Sequence, residues 1–206
     1  MSNPETWDVI IIGAGASGLF CAIECGRRGR SVLVLDHTDR ICSKVLISGG
    51  GRCNFTNLNV TPEHYLSSNP HFCRSALARF TPQDMLSLIK KQGIVYYEKE
   101  QGQLFCVKTS REIASFLMQE CGSASVVVRL GCRIDSAKKE GRFRLATSQG
   151  SYLTDSLVIA TGGLSYRNLG ATGFGYDLAR QFGLSVTPAR PALVPFTWTG
   201  RDKKTF

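Results

Sequence analysis

A glycine-rich turn between an apolar strand and a helix is the feature of this sequence that most constrains its fold. Four apolar residues precede Gly13-x-Gly15-x-x-Gly18, and a second apolar run over residues 32–35 ends in Asp36. A strand, a glycine-rich turn, a helix and a second strand that ends in an acid form the dinucleotide-binding unit of Rossmann-like folds. The sequence therefore predicts an α/β fold with a parallel sheet and a nucleotide ligand.

The residues of this unit have separate expected roles. Gly13 permits the tight turn, Gly15 lets a pyrophosphate approach the backbone, and Gly18 allows the helix to pack closely on the strand. The start of the helix then directs free N–H groups at the phosphates. We expect Asp36 to accept hydrogen bonds from ribose hydroxyls, which disfavours a 2′-phosphate and therefore NADP at this site.

The rest of the sequence predicts short strands that alternate with helices. In the first half we expect a loop over 41–57, helical structure over 61–93, strands over 94–97 and 104–107, and a helix over 109–120 that a capping box opens. In the second half we expect a strand over 125–130, a three-stranded meander over 133–153, a separate buried strand over 156–160 and a helix over 175–182.

The composition excludes several classes of protein. Hydrophobic residues make up 43% and charged residues 20% of the 206 residues, which is typical of a globular chain with a sizeable core. The apolar runs are too short to span a bilayer and no secretory signal is visible, so we expect a cytoplasmic location and no membrane partner. A disulfide framework is not expected in a chain of this size without a visible secretory signal. The eight cysteines form no Cys-x-x-Cys pair and the three histidines have no ligand spacing with them, which argues against a zinc site.

The net charge of +9 has two interpretations. It can mark contact with nucleic acid, or it can reflect solvated basic side chains around a site for phosphate-bearing cofactors. The basic residues are scattered and no run reaches five. This scatter favours the solvated surface and makes nucleic acid the less expected partner.

Two further motifs bring backbone turns toward a ligand. Residues 155–163 read DSLVIATGG, an apolar strand that ends in a small-residue turn. Residues 44–57 read KVLISGGGRCNFTN and place Arg52, Cys53 and Asn54 directly behind three glycines. A guanidinium fork and short polar groups beside an open backbone favour a cofactor loop over a flexible linker.

KVLISGGGRCNFTN, ATGGLSY and PALVPF together resemble the BaiN-like (YhiN-like) flavoproteins over essentially the whole chain. The resemblance implies a Rossmann-like FAD-binding domain whose parallel sheet is joined by a three-stranded β-meander. It also implies oxidoreductase activity, with NAD(P)H as the electron donor and a small electron-poor molecule as the substrate. One branch of the family reduces C=C bonds in 3-oxo bile-acid intermediates. The family usually has proline, serine and aspartate where this chain has Arg167, Ala171 and Phe174.

The resemblance also implies a set of cofactor-binding residues. The glycine-rich turn would hold the FAD pyrophosphate, Asp36 the adenosine ribose, and the backbone of Ile134 the adenine. The motifs KVLISGGGRCNFTN and ATGG would follow the cofactor toward the flavin. The complete set is Gly13, Ala14, Gly15, Ala16, Ser17, Gly18, Asp36, Lys44, Gly50, Gly51, Arg52, Cys53, Asn54, Ile134, Ala160, Thr161, Gly162 and Gly163. It contains no assigned general acid.

Family members are about twice as long as this chain. The resemblance therefore implies that residues 1–190 form the N-terminal part of the FAD-binding domain, and that residues 191–206 begin an inserted substrate domain. On this interpretation the chain is truncated and lacks the half of the protein that contacts the substrate.

Three functions stay open at this point. The chain is an FAD-dependent oxidoreductase, a non-catalytic fragment that binds FAD or ADP, or a tRNA-modifying flavoprotein, which the basic charge suggests. A redox-active Cys53 is a further alternative, although no dithiol motif supplies it with a partner cysteine. The sequence does not indicate the oligomeric state.

Overall fold

The computed structural model describes residues 3–191. The strands are β1 Glu5–Ile12, β2 Val32–Leu35, β3 Asn54–Asn57, β4 Tyr96–Glu98, β5 Gln103–Cys106, β6 Val127–Arg129, β7 Ile134–Glu140, β8 Arg142–Thr147 and β9 Gly150–Ile159. The helices are α1 Ala16–Arg27, α2 Ser43–Gly51, α3 Arg74–Arg79, α4 Pro82–Lys91, α5 Arg111–Ser123 and α6 Phe174–Gln181, with short 3-10 turns at Pro62–His64 and Arg167–Leu169.

Six strands form the main sheet in the order β6-β2-β1-β9-β8-β7. The first four are parallel to one another, and β8 and β7 continue the sheet as an antiparallel hairpin beside β9. A second, antiparallel sheet has the order β3-β5-β4. The arrangement confirms the predicted Rossmann-like α/β fold with a meander.

The two faces of the main sheet bury different sets of residues. Val9 and Ile11 pack under α1 and α5, whereas Ile10 and Ile12 pack on the opposite face with Leu178 of α6. Every residue of β2 is buried. Coverage on both faces is why the central parallel strands read as uninterrupted apolar runs. The core therefore fixes the carboxyl ends of β1, β2 and β9 beside one another.

The last meander strand and the buried strand that follows it are one element, so their prediction as two strands is wrong. β9 runs from Gly150 to Ile159 and pairs with β1 over most of its length. The polar residues in its middle suggested a break, but they are satisfied within the strand. The Thr154 hydroxyl lies 3.0 Å from the Asp8 carbonyl oxygen, and Asp155 forms an ion pair with Arg142.

Two further predictions need correction. Residues 41–57 are not a continuous loop, because α2 begins at Ser43 and β3 pairs with β5. The glycines suggested a loop, yet helical backbone is lost only from Ser48 onward, where Gly49, Gly50 and Gly51 have positive φ. Residues 61–93 are not continuously helical, because only α3, α4 and one short turn form there. Thr81 and Asp84 make a reciprocal capping box that begins α4, as Thr81-Pro82 indicated.

Within residues 3–191, no helix combines the length and the apolar character needed to cross a membrane. The predicted start of a substrate domain falls at residues 191–206, and all of that range beyond Pro191 lies outside the described residues.

Two helical glycines give a test of how α1 and α5 pack against each other. A Cβ on Gly26 would clash with the Ala124 carbonyl oxygen and lie 3.0 Å from the Ala124 Cβ, whereas a Cβ on Gly122 would have no atom within 4 Å. We expect Gly26→Ala to lower the free energy of unfolding by about 1–3 kcal/mol through overpacking. Gly122→Ala should raise it by about 0.5 kcal/mol through helix propensity. Urea denaturation followed by circular dichroism measures both, and equal effects would contradict this packing.

Candidate nucleotide-binding cleft

A cleft of about 680 Å³ opens at the carboxyl ends of β1, β2 and β9. Its volume is within the ~300–1,000 Å³ typical of small-molecule sites. The chain leaves β1 toward β2 and β6 and later returns on the other side as β9, so the cleft lies where the strand order reverses. Open α/β sheets bind their ligands at such a switch point.

The glycine-rich turn forms the floor of the cleft. Gly13 has a φ of +116°, and a Cβ there would clash with the Ala160 carbonyl oxygen. A Cβ on Gly18 would clash with the Gly13 carbonyl oxygen, so α1 packs directly against the turn. Gly15 differs because a Cβ there would have no atom within 4 Å. The turn is therefore tight below and open above, on the side where a ligand would lie.

The N-terminus of α1 has no side chain to cap it. Gly15 is the N-cap residue, and the first turn contains no acidic residue. The first N–H groups of a helix have no acceptor within the helix, and they carry the positive end of its dipole. Ala16 and Ser17 from this first turn line the cleft. This end of α1 is suited to binding an anionic group.

Asp36 joins the glycine-rich turn to the end of β2. Its Oδ2 accepts a hydrogen bond of 2.7 Å from the Ala14 N–H, and its Oδ1 accepts one of 2.8 Å from the Thr38 N–H. The side chain is 14% exposed and lines the cleft. Oδ1 also accepts a hydrogen bond of 2.8 Å from the Thr38 hydroxyl, whereas Oδ2 has a single donor and keeps acceptor capacity. Asp36 can therefore hold the turn and still accept from a ligand hydroxyl. The sequence indicated only the second of these two roles.

Two side chains reach across the cleft from the β2–α2 segment to the segment after β9. Lys44 donates a hydrogen bond from Nζ to the Gly163 carbonyl oxygen, and His37 Nε2 lies 2.9 Å from the Gly170 carbonyl oxygen. These contacts tie the loop between β9 and α6 to the opposite wall. Ala171 and Phe174, two of the positions where the chain departs from the family pattern, line that loop's side of the cleft.

The structure brings most of the predicted cofactor-binding residues together. Those that line the cleft are Gly13, Ala14, Gly15, Ala16, Ser17, Asp36, Lys44, Ile134, Ala160, Thr161 and Gly162. Gly18 supports the turn from below, and Gly163 accepts the Lys44 hydrogen bond. Sequence reasoning missed further lining residues, among them His37, Thr38, Arg40, Cys42, Cys132, Arg133, Leu169, Gly170 and Thr172. Their position in the sequence could have identified some of them, because His37, Thr38 and Cys132 follow the carboxyl ends of β2 and β6.

The GGGRCN segment is not part of this lining. The Gly51 carbonyl oxygen accepts a hydrogen bond of 2.7 Å from the Ser110 N–H, and the Arg52 carbonyl oxygen accepts one of 2.9 Å from the Cys106 N–H. Asn54 begins β3 and pairs with Phe105. Gly50, Gly51, Arg52, Cys53 and Asn54 therefore connect α2 to the small sheet, and their contact with a cofactor stays a prediction.

Cys53 lies in a buried, thiol-rich part of the core. The residue is 5% exposed, and burial raises the pKa of its thiol. Burial likewise raises the pKa of Cys42 and of Cys106 to about 12. All eight cysteines are free thiols. A buried thiol with a raised pKa is a poor nucleophile at neutral pH, which argues against a redox role for Cys53.

Comparison with known proteins identifies the family. Residues 7–200 match the family described as HI0933-like protein Rossmann domain. The chain belongs to this family, which confirms the resemblance to the BaiN-like (YhiN-like) group.

Two curated relatives and one solved structure extend this comparison. The chain is 52% identical over 194 residues to the ribosomal RNA dihydrouridine synthase of Escherichia coli K12, covering 94% of this chain and 48% of that protein. It is 30% identical over 189 residues to the 3-dehydro-bile acid delta(4,6)-reductase of Clostridium scindens, covering 89% of this chain and 46% of that protein. The chain thus spans about half the length of the curated relatives it matches.

Among solved structures, the chain superposes on the 3-ketosteroid-delta4-(5alpha)-dehydrogenase of Rhodococcus jostii RHA1 with a TM-score of 0.59. The identity is 14%, and the match covers 81% of this chain and 48% of that chain. At this identity the likeness concerns the fold.

Thiol labelling tests the placement of Cys53. We expect a brief pulse of iodoacetamide at pH 8 to modify Cys21, Cys25 and Cys73, because these residues are partly exposed, and to spare the buried set Cys42, Cys53, Cys106, Cys121 and Cys132. All eight should react in urea, and peptide mass spectrometry reads out each site. Rapid modification of Cys53 in the folded chain would contradict its burial and would reopen its redox role.

Proposed function

We propose that this chain is the FAD-binding part of a flavoenzyme that reduces an electron-poor C=C bond. The observation that carries the proposal is the cleft itself, in which an uncapped helix N-terminus and a carboxylate acceptor lie at the switch point of a Rossmann-like sheet. Such an arrangement suits an adenosine joined to a pyrophosphate.

The residues present fit FAD. The space above Gly15 admits a pyrophosphate, and the first turn of α1 offers it N–H donors. Asp36 keeps free lone pairs for ribose hydroxyls, and Ile134 lies in the lining where an adenine would need an apolar neighbour. When bound, FAD supplies hydride transfer, and the protein supplies position and electrostatics. On this proposal Lys44 positions the Gly162–Gly163 turn at the far end of the cleft.

For the whole protein, we propose uridine in ribosomal RNA as the substrate class. Dihydrouridine differs from uridine by two hydrogens across one C=C bond, so its synthesis needs a hydride and a proton. We propose a reduced nicotinamide as the source of the hydride. The relative named for this product is 52% identical, against 30% for the relative named as a bile acid reductase. The net charge of +9 also suits a polyanionic substrate. The proposal therefore extends the alternative of a tRNA-modifying flavoprotein to flavoproteins that modify RNA in general.

The first experiment is an absorbance spectrum of the purified chain after incubation with FAD and desalting. We expect flavin bands that stay with the protein, and bleaching of those bands by NADH or NADPH under argon would identify the donor. A second assay would mix the loaded chain with rRNA and measure dihydrouridine. A colourless protein after desalting would contradict FAD binding, and if the same chain then binds added ADP, the non-catalytic ADP-binding fragment is favoured.

The carboxylates of Asp36 and Asp39, which are close in the sequence, provide a matched test of the adenosine end of the cleft. Asp36→Asn replaces an acceptor with an amide that cannot satisfy both the Ala14 and Thr38 N–H groups, so we expect the Kd for ADP to rise at least about tenfold. Asp39→Asn is the control, because the Asp39 side chain is 82% exposed and pairs only with Arg40. Isothermal titration measures both variants. Equal ADP affinities would show that Asp36 does not support this site.

A further inference from the structure

The excursion between α2 and α5, residues 52–110, carries more basic than acidic side chains. It contains β3, α3, α4, β4 and β5. Its cationic residues are Arg52, Arg74, Arg79, Lys90, Lys91, Lys99 and Lys108, and its acidic residues are Glu63, Asp84, Glu98 and Glu100. Over the part of the chain that the structure describes, every ion pair involves residues outside this excursion. Basic residues are no denser here than in the whole chain, so the excursion differs in that its cations form no ion pair within residues 3–191.

The same excursion holds large apolar side chains in water. In the segment before α3, Leu66 is 98%, Phe72 80% and Tyr65 50% exposed. We call residues 61–74 the aromatic loop. A single exposed apolar residue is ordinary, but several on one short loop mark a surface that binds something.

Local hydrogen bonds fix the shape of the aromatic loop. Asn69 accepts from the Phe72 N–H through its carbonyl oxygen at 3.1 Å, and from the His71 N–H through Oδ1 at 3.1 Å. At the end of α3, the Phe80 ring packs edge-on against Phe20 of α1, with centroids 5.0 Å apart. This contact packs the end of α3, which follows the loop, against the helix whose N-terminus lines the cleft, while the rings of Tyr65 and Phe72 are exposed.

We propose that the aromatic loop, together with Arg74 and Arg79, binds an unpaired segment of RNA. Tyr65 and Phe72 offer ring faces on which bases can stack, and the two guanidinium groups contact phosphates. Proteins recognise single-stranded RNA through this combination of aromatic platforms and arginines. The inference rests on the proposed function, because it takes the RNA substrate from there and assigns the surface that holds it.

Charge decides in favour of RNA over an apolar protein partner. A hydrophobic docking surface gains nothing from uncompensated cations around it, whereas each cation that neutralises a phosphate adds affinity by releasing a counterion. Arg74 is the last residue of the aromatic loop and the first residue of α3, and Arg79 is the last residue of the same helix. An anionic membrane shares the charge argument, so the test includes it as a competing outcome.

The test uses the 206-residue chain and a fluorescein-labelled, uridine-rich 20-nucleotide RNA. Fluorescence anisotropy at several salt concentrations measures the affinity of the unmodified chain. We expect binding that weakens steeply with salt, with weaker binding to a fully paired hairpin of equal length. FAD retention, followed by absorbance, is measured on every variant.

Two charge variants distinguish the contribution of this surface to RNA binding from the contribution of net charge alone. Arg74→Ala combined with Arg79→Ala should weaken RNA binding at least about tenfold and reduce the slope of log K against log salt by about 1.4, since each phosphate contact on a single strand contributes about 0.7. Lys138→Ala combined with Arg144→Ala is the matched control. These two cations are exposed cross-strand neighbours on the meander, without an ion pair within residues 3–191. We expect the control to lose less than about twofold.

Substitutions at Phe72 separate stacking from apolar contact. Phe72→Tyr keeps an aromatic face and should bind RNA normally, whereas Phe72→Leu keeps apolar surface and should lose about tenfold or more. Because the side chain is 80% exposed, neither change should affect folding, which circular dichroism verifies. If Phe72→Leu binds RNA as well as Phe72→Tyr does, the stacking role is overturned.

The outcomes distinguish a failure of the proposed RNA substrate from a failure of the surface assigned to bind it. If the unmodified chain binds no RNA, the proposed RNA substrate fails, and this surface fails with it. If the chain binds RNA but the Arg74/Arg79 and Phe72 variants match the control, only the assignment of the surface fails. Sedimentation with vesicles of phosphatidylglycerol and phosphatidylcholine is the remaining comparison. Binding to vesicles and not to RNA, lost in the Phe72→Ala variant, would assign the loop to a membrane and overturn the proposal.

Discussion

The cleft depends on the carboxylate of Asp36. A glycine-rich turn leaves several N–H groups without acceptors, and these would cost free energy if they were buried unpaired. Asp36 satisfies one of them at Ala14 and also fixes Thr38 at the end of β2. One ionised side chain therefore sets the distance between the turn and the neighbouring strand. The open side of the turn can then offer its remaining donors to a ligand instead of to the protein.

The sequence predicted the part of the site that local rules determine. Glycines at fixed spacing after an apolar strand determine the turn, and Asp36 at the end of the second strand follows from the same unit. Contacts between distant segments were not predictable in this way. Nothing near Lys44 or His37 in the sequence indicates that their partners are Gly163 and Gly170.

The errors in the secondary structure have a common physical cause. Residues 154–156 are polar and suggested a break between two strands, yet β1 and β8 on either side satisfy them in one continuous strand. The glycines of residues 41–57 suggested a continuous loop, yet β3 forms there because it pairs with β5. In both cases the deciding interactions come from residues far away in the sequence, so local pattern and composition could not reveal them.

The position of residues 52–110 in the topology has a consequence for how such proteins diversify. The chain leaves the main sheet after β2 and rejoins it at β6, which pairs directly with β2. The length and surface of this insertion can therefore change while strand order, core and cleft stay the same. Evolution can alter what is presented to a partner independently of the scaffold that holds a nucleotide. The relatives of this chain include one named as a ribosomal RNA dihydrouridine synthase and one named as a bile acid reductase, and an insertion of this kind is a place where the surfaces of such proteins can differ.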